Sequence, residues 1–135
     1  MAEGELHRHL VQHIVVVMRA RGLAIVSVDA RGSHRPEEVR RWPWQELWFR
    51  PDVVARYGRR RIYGDAKRNA RDVQACVGQL VVLAAMSSEM VICVPDAELA
   101  STAHVLDDSW GLRSYRRLRL LGDRSLAWWR VDELL

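Results

Sequence analysis

The tightest constraint on the fold is a pair of β-prone runs, Leu47–Tyr57 and Arg60–Lys67, separated only by Gly58-Arg59. Two residues cannot carry a chain across a sheet, so the runs must fold back on each other as an antiparallel hairpin. With a two-residue loop, Tyr57 faces Arg60 and the ladder counts outward from that pair. Counting outward brings Asp52 directly opposite Asp65, with Cβ atoms ~4.5–5.5 Å apart. Lys67 stands two residues beyond Asp65, so its side chain emerges on the same face. A bulge would break this register. Gly64 is the position that invites one, or that lets a substrate approach closely.

The remaining elements follow from periodicity. Leu6, Leu10, Ile14, Val17 and Met18 recur at helical spacing and predict a helix over Glu3–Arg21 that stops at Gly22. Leu23–Val28 reads as a buried strand, and Asp29–Glu46, with Gly32, Pro36 and Pro43, as a long loop. Asp72–Met86 predicts one helix, Met90–Val94 a strand closed by Pro95, and Asp96–Leu106 another helix. Tyr115–Leu121 and Ser125–Val131 read as a hairpin turning at Gly122-Asp123. The order αβββαβα, followed by one or two terminal strands, is α/β with a mixed central sheet flanked by helices. The 135 residues predict a single domain over 1–135.

Composition excludes several classes. Hydrophobic residues make up 49% and charged residues 28%, which argues against a disordered chain. The longest strongly apolar stretch, Cys76–Met86, has 11 residues, and a membrane-spanning helix needs ~20. The opening Met-Ala-Glu-Gly-Glu lacks a basic region followed by an apolar run, so no secretory signal is expected. Cys76 and Cys93 have no metal-ligand spacing and read as buried, reduced thiols of a cytoplasmic protein. There is no Walker-type loop, Gly-x-Ser-x-Gly elbow or His-Glu-x-x-His. Asp107-Asp108 reads as a solvated pair near a helix end.

The charge is more informative. The net charge is +4, which suits a polyanionic partner. Twenty of the 21 basic residues are Arg, and the single Lys is Lys67. Against such a bias, a lysine persists where a compact ammonium with a shiftable pKa is needed. Asp52 and Asp65 at hairpin distance repel each other unless positive charge lies between them. Lys67 supplies one charge, and a divalent cation would supply two more. Oxygen ligands suit Mg²⁺ or Mn²⁺. A surface ion cluster in which Lys67 neutralises the aspartates is the other reading.

Pro51-Asp52, twelve residues, then Asp65-Ala66-Lys67 resembles the signature of the PD-(D/E)XK nucleases, the restriction-endonuclease-like superfamily that includes Holliday-junction resolvases. The resemblance runs from about Glu5 to Pro95 and implies the restriction-endonuclease-like αβββαβ core. It implies a metal held by Asp52, Asp65 and the backbone carbonyl of Ala66, with Lys67 orienting or deprotonating the attacking water or stabilising the developing charge. Gly78-Gln79-Leu80 is similar to the Gln-Leu pair of the exonuclease-like branch, which implies Gln79 near the scissile phosphate; a helix-surface Gln is the alternative. In many relatives the first helix supplies a Glu, for which Glu5 and Glu3 are the candidates, although both also suit a helix N-terminus. His9 and His13 share a face of that helix and are further candidates to approach the site, or are simply solvated or packed.

Arg56, Arg59, Arg60, Arg61, Arg68 and Arg71 are expected to cluster around the site and contact nucleic-acid phosphates, unless they form a solvated basic hairpin. Arg113, Arg116, Arg117 and Arg119 would extend the track. Trp42, Trp44 and Trp48, together with Trp128 or Trp129, are candidates for base stacking or packing. The expected activity is a Mg²⁺- or Mn²⁺-dependent endonuclease acting on DNA, working as a homodimer because two strands must be cut. A non-catalytic nucleic-acid-binding module and a nuclease subunit of a larger defence or mobile-element assembly are the alternatives.

Overall fold

The computed structural model describes residues 3–29, 51–109 and 116–135. Most of the predicted loop, with Trp42, Trp44 and Trp48, the start of the Leu47–Tyr57 run and Arg113 lie outside the described residues. The elements are α1 (Glu3–Ala20), β1 (Ala24–Val28), β2 (Val53–Tyr57), β3 (Arg60–Ala66), α2 (Ala70–Ala75), α3 (Val77–Met86), β4 (Glu89–Val94), α4 (Leu99–Ser109), β5 (Leu118–Gly122) and β6 (Trp128–Arg130). Short 3-10 turns at Asp96–Glu98 and Val131–Leu134 precede α4 and follow β6.

The six strands lie in one mixed sheet in sequence order. β1, β2 and β3 run antiparallel, β3, β4 and β5 run parallel, and β6 returns antiparallel. The two parallel steps need crossovers, which α2 with α3 and then α4 provide. Period-2 alternation gives the sheet two apolar faces. Val53, Ala55, Ile62, Val91 and Cys93 pack under Leu10, Ile14, Val17 and Met18 of α1. Val54, Tyr63, Met90 and Ile92 pack under Leu80 and Leu83 of α3 and Ala103 and Leu106 of α4. Each of the large side chains is worth ~1.5–3 kcal/mol on full burial, so three layers close two cores.

The hairpin register is the expected one, running from Tyr57↔Arg60 to Val53↔Gly64 without a bulge. Gly58 has φ 59°, the positive value a two-residue hairpin turn with Gly in first place requires. Gly64 has another purpose than the expected one. A Cβ there would lie 2.7 Å from Ile14 Cγ2 and 3.2 Å from Met18 Cε. Its missing side chain admits α1, not a substrate or a bulge.

Three local expectations need correction. The single helix over Asp72–Met86 is two helices that start earlier and break at Cys76 (φ −110°, ψ 12°). Asn69 starts α2 as its N-cap, its side-chain oxygen accepting the Asp72 N–H at 2.8 Å. The break falls just before Val77-Gly78, two weak helix formers in succession. The C-terminal hairpin turns through a longer loop than Gly122-Asp123, because β5 includes Gly122 and β6 starts only at Trp128. Of the two cysteines, Cys93 is buried as expected, but Cys76 is only half-buried.

Candidate active site

The site lies at the carboxyl ends of the parallel strands, where open α/β sheets commonly bind ligands. Asp65 is in β3, Lys67 just follows it, and Asp52 directly precedes β2. The hairpin register continued by one step sets Asp52 beside Asp65. Asp52 is anchored twice: its Oδ2 accepts the Ala66 N–H at 2.8 Å, and its carbonyl accepts the Asp29 N–H at 2.7 Å. Lys67 N–H donates to Cys93 O of β4 at 2.9 Å. Across a trans peptide the Ala66 carbonyl points the opposite way, toward the edge where Asp52 stands.

Both carboxylates are nearly buried, Asp52 at 8% and Asp65 at 3% exposure. Their side chains are within hydrogen-bonding reach of each other. Lys67 Nζ lies 2.8 Å from Asp65 Oδ2. That buried oxygen has no other partner within hydrogen-bonding geometry among the described residues. Burial, and then the Asp52 charge, push the Asp65 carboxyl up from 3.8 to about 7, against the pull of Lys67. Burial also raises Asp52, but His7, Asp65 and the Ala66 N–H outweigh it and leave Asp52 below the ordinary value. Burial lowers Lys67, but the Asp65 charge and hydrogen bond prevail and keep its pKa high. The aspartates therefore divide their roles: Asp52 gives up its proton first as pH rises, and Asp65 keeps its own longer.

A cleft of about 390 Å³ opens beside this pair, lined by His7, Ala66, Lys67, Arg68, Asp72 and Cys76 among others. His7 was not among the predicted residues. Its Nε2 lies 3.5 Å from Asp52 Oδ1, and the hydrogen bond to Asp52 raises its pKa above 6.5 despite partial burial. The signal for it was positional. His7 stands three and four residues before Leu10 and Val11, on the buried stripe of α1.

The other predicted residues divide. Arg68 lines the cleft, with Nε 2.8 Å from Asp72 Oδ2, and Arg71 is exposed on α2 nearby. Glu5 is exposed and lies about 200° around the helix from His7, so α1 turns it away from the aspartates. Glu3 begins α1. His9 and His13 reach Asp123 (3.8 Å) and the Ser125 carbonyl (2.7 Å), not the site. Gln79 is half-buried three residues past Cys76 and does not line the cleft. Arg56, Arg59, Arg60 and Arg61 do not surround the site. Arg60 is five residues down β3 from Asp65, about 17 Å at strand rise, so these four lie toward the other end of the hairpin. Arg119 is ion-paired with Glu89 at 3.2 Å. Trp128 is half-buried and Trp129 exposed at 37%, on opposite faces of β6 as successive strand residues are.

Among the described residues no three His, Cys, Asp or Glu side chains are grouped as a ready metal cage. Two buried carboxylates with a carbonyl directed toward them, one carboxylate oxygen having no partner but Lys67 among the described residues, are a sparser donor set. It is the kind Mg²⁺ uses with substrate phosphates, which needs one or two carboxylates and completes its octahedron with water and phosphate oxygens. In that sense the residues fit the ion. No family model, curated protein or solved structure matches the chain.

Proposed function

We propose that this chain is a metal-dependent nuclease of restriction-endonuclease-like core that hydrolyses phosphodiester bonds in DNA. The observation that carries the reading is the buried Asp52–Asp65 pair with the only lysine of the chain at 2.8 Å, at the mouth of a cleft. A surface ion cluster would leave these groups solvated, where such pairs contribute ~0–1 kcal/mol. Burying two carboxylates together costs stability, and active sites are where such costs are retained.

Asp52, Asp65 and the Ala66 carbonyl are the groups that would hold Mg²⁺ or Mn²⁺, which when bound polarises the phosphate and lowers the pKa of water. Asp52, already ionised, offers its carboxylate without first losing a proton. Asp65 gives up its proton for the site to bind a cation. Lys67 places a positive charge beside the reacting phosphate, where charge builds in the transition state. Arg68, steadied by Asp72, adds a phosphate contact on the cleft wall. The net charge of +4 favours a polyanion at long range. The same reading carries a homodimer, since two strands have to be cut, and a cytoplasmic location. A part in a larger assembly is compatible with it.

The test is nicking and linearisation of supercoiled plasmid in Mg²⁺, Mn²⁺ or EDTA, with Lys67→Ala beside the wild type. Metal-dependent cutting that is lost in the variant is expected. Cutting in EDTA, or equal cutting by Lys67→Ala, refutes the assignment. Metal-independent binding without cutting, on branched and single-stranded substrates too, identifies a binding module instead.

A further inference from the structure

On the α1 face of the sheet, at the end away from Asp65, lies a recess of about 190 Å³. Leu23, Ile62 and Trp128 form its more buried walls, and the exposed Arg21, Tyr57 and Arg60 its rim. The Arg21 guanidinium stacks on the Trp128 ring, 3.9 Å from its centroid, so a planar layer is already assembled there. Tyr57 ends β2 beside the same apolar walls, yet it is 60% exposed, so the fold leaves most of its ring uncovered. Glu89, the acidic residue on the wall, is paired with Arg119 at 3.2 Å. The volume lies below the ~300 Å³ at which sites for drug-sized ligands begin. The recess therefore admits one ring system and leaves the rest of its ligand outside. Apolar walls, open aromatic faces and a rim of guanidinium donors suit a ring that is apolar on its faces and polar at its edges, carried on an anionic chain. A nucleobase on its sugar–phosphate strand has that chemistry.

We propose that this recess takes one unpaired base from a single-stranded segment of the substrate, stacked on Tyr57 and against the Arg21–Trp128 layer. The inference rests on the nuclease reading above and narrows its substrate. Bases inside a duplex are stacked on one another and present no free face, so only an unpaired base enters. Arg60 is five residues from Asp65 along β3, about 17 Å at strand rise. A strand covers that distance in about five nucleotides at the ~3.4 Å spacing of stacked bases. The outer ridge of α1, which runs from the catalytic cleft to the recess, exposes Arg8, Gln12 and Arg19, all within about 40° around the helix. After Glu5, α1 has no acidic residue, so nothing on that ridge repels a strand passing along it.

The experiment measures binding of a fluorescent single-stranded oligonucleotide, and of the same sequence as a duplex, by anisotropy, using full-length Lys67→Ala in EDTA. One base stacked on an aromatic ring is worth about 5- to 150-fold in affinity. Adding Tyr57→Ala should weaken single-strand binding by that factor while leaving its salt dependence, which counts phosphate contacts, unchanged. Tyr57→Phe keeps the ring and retains the affinity, and duplex binding is unchanged in both variants. No loss in Tyr57→Ala, or an equal loss on single strand and duplex, overturns the recess and leaves the nuclease reading standing. The expected single-strand loss in a protein whose wild type cuts no plasmid supports the recess and overturns the nuclease reading alone. Failure of the parent protein to bind any nucleic acid overturns both.

Discussion

Asp65→Asn separates a catalytic carboxylate from a structural one, because the two predict opposite signs of stability change. In the folded chain Asp65 is 3% exposed and its carboxyl is pushed from 3.8 to about 7 by burial and by the Asp52 charge. The folded state thus holds this proton more tightly than the unfolded state does. Well below 3.8 both states are protonated and the group contributes nothing to the pH dependence. As pH rises toward 7 the unfolded chain ionises first, so wild-type stability falls. The accumulated loss is about 2 kcal/mol at pH 5 and about 4 kcal/mol at pH 8. Asn keeps the shape, cannot ionise, and donates an N–H toward Asp52 where the shared proton was. Urea unfolding of both proteins at the two pH values is the assay. Asp65→Asn is expected to be the more stable protein at pH 8, with its advantage growing by about 2–3 kcal/mol between pH 5 and pH 8. Plasmid cleavage should be lost at the same time. A variant less stable than wild type at pH 8, or an advantage that does not change with pH, refutes the reasoning. Asp65 would then be an ionised partner that Lys67 stabilises.

Other perturbations test neighbouring links. Lys67→Arg keeps the charge but replaces a compact ammonium with a bulky planar group at 17% exposure. Cleavage should fall on the order of 10²-fold or more, as when a charge-stabilising donor is lost, with the thermal midpoint little changed; wild-type rates would sink the argument from the lone lysine. Gly64→Val drives side-chain atoms into Ile14 and Met18 and should cost ~1–3 kcal/mol or more in denaturant unfolding, since two helix-packed core residues have to give way. Imidazole NMR should show His7 titrating above 6.5, with the midpoint returning toward 6.5 in Asp52→Asn, because the Asp52 hydrogen bond is the first cause of the rise. His7 therefore adds stability at low pH, which is lost as pH climbs through its raised midpoint. Added Mg²⁺ should raise the melting temperature more at pH 8 than at pH 5, because the ion competes with the Asp65 proton; equal shifts would speak against the carboxylate pair as its ligands.

Legibility in the chain followed the range of the interaction. The hairpin was readable because Gly58-Arg59 leaves no other way to join its strands, and a period of two then dictates which residues share a face. Asp52, Asp65 and Lys67 come together by this local rule alone. The break at Cys76 and the cap at Asn69 are also local, but they turn on differences of ~1 kcal/mol that a continuous apolar run conceals. The arginines misled because closeness in sequence along an extended strand is distance in space. Each residue adds about 3.3 Å, so a basic hairpin tip cannot surround carboxylates at the strand ends. Which side chain of α1 meets the pair was beyond the sequence. Helical periodicity marks the buried stripe but not the rotation and depth at which the helix docks, and Gly64, by admitting Ile14 and Met18, belongs to that docking. The sequence alone thus determined the aspartate pair and its lysine, through hydrogen-bond register. Only the tertiary structure decided that His7 rather than Glu5 joins them, and that the arginines divide between two ends of the sheet, because those outcomes depend on how separately formed elements pack.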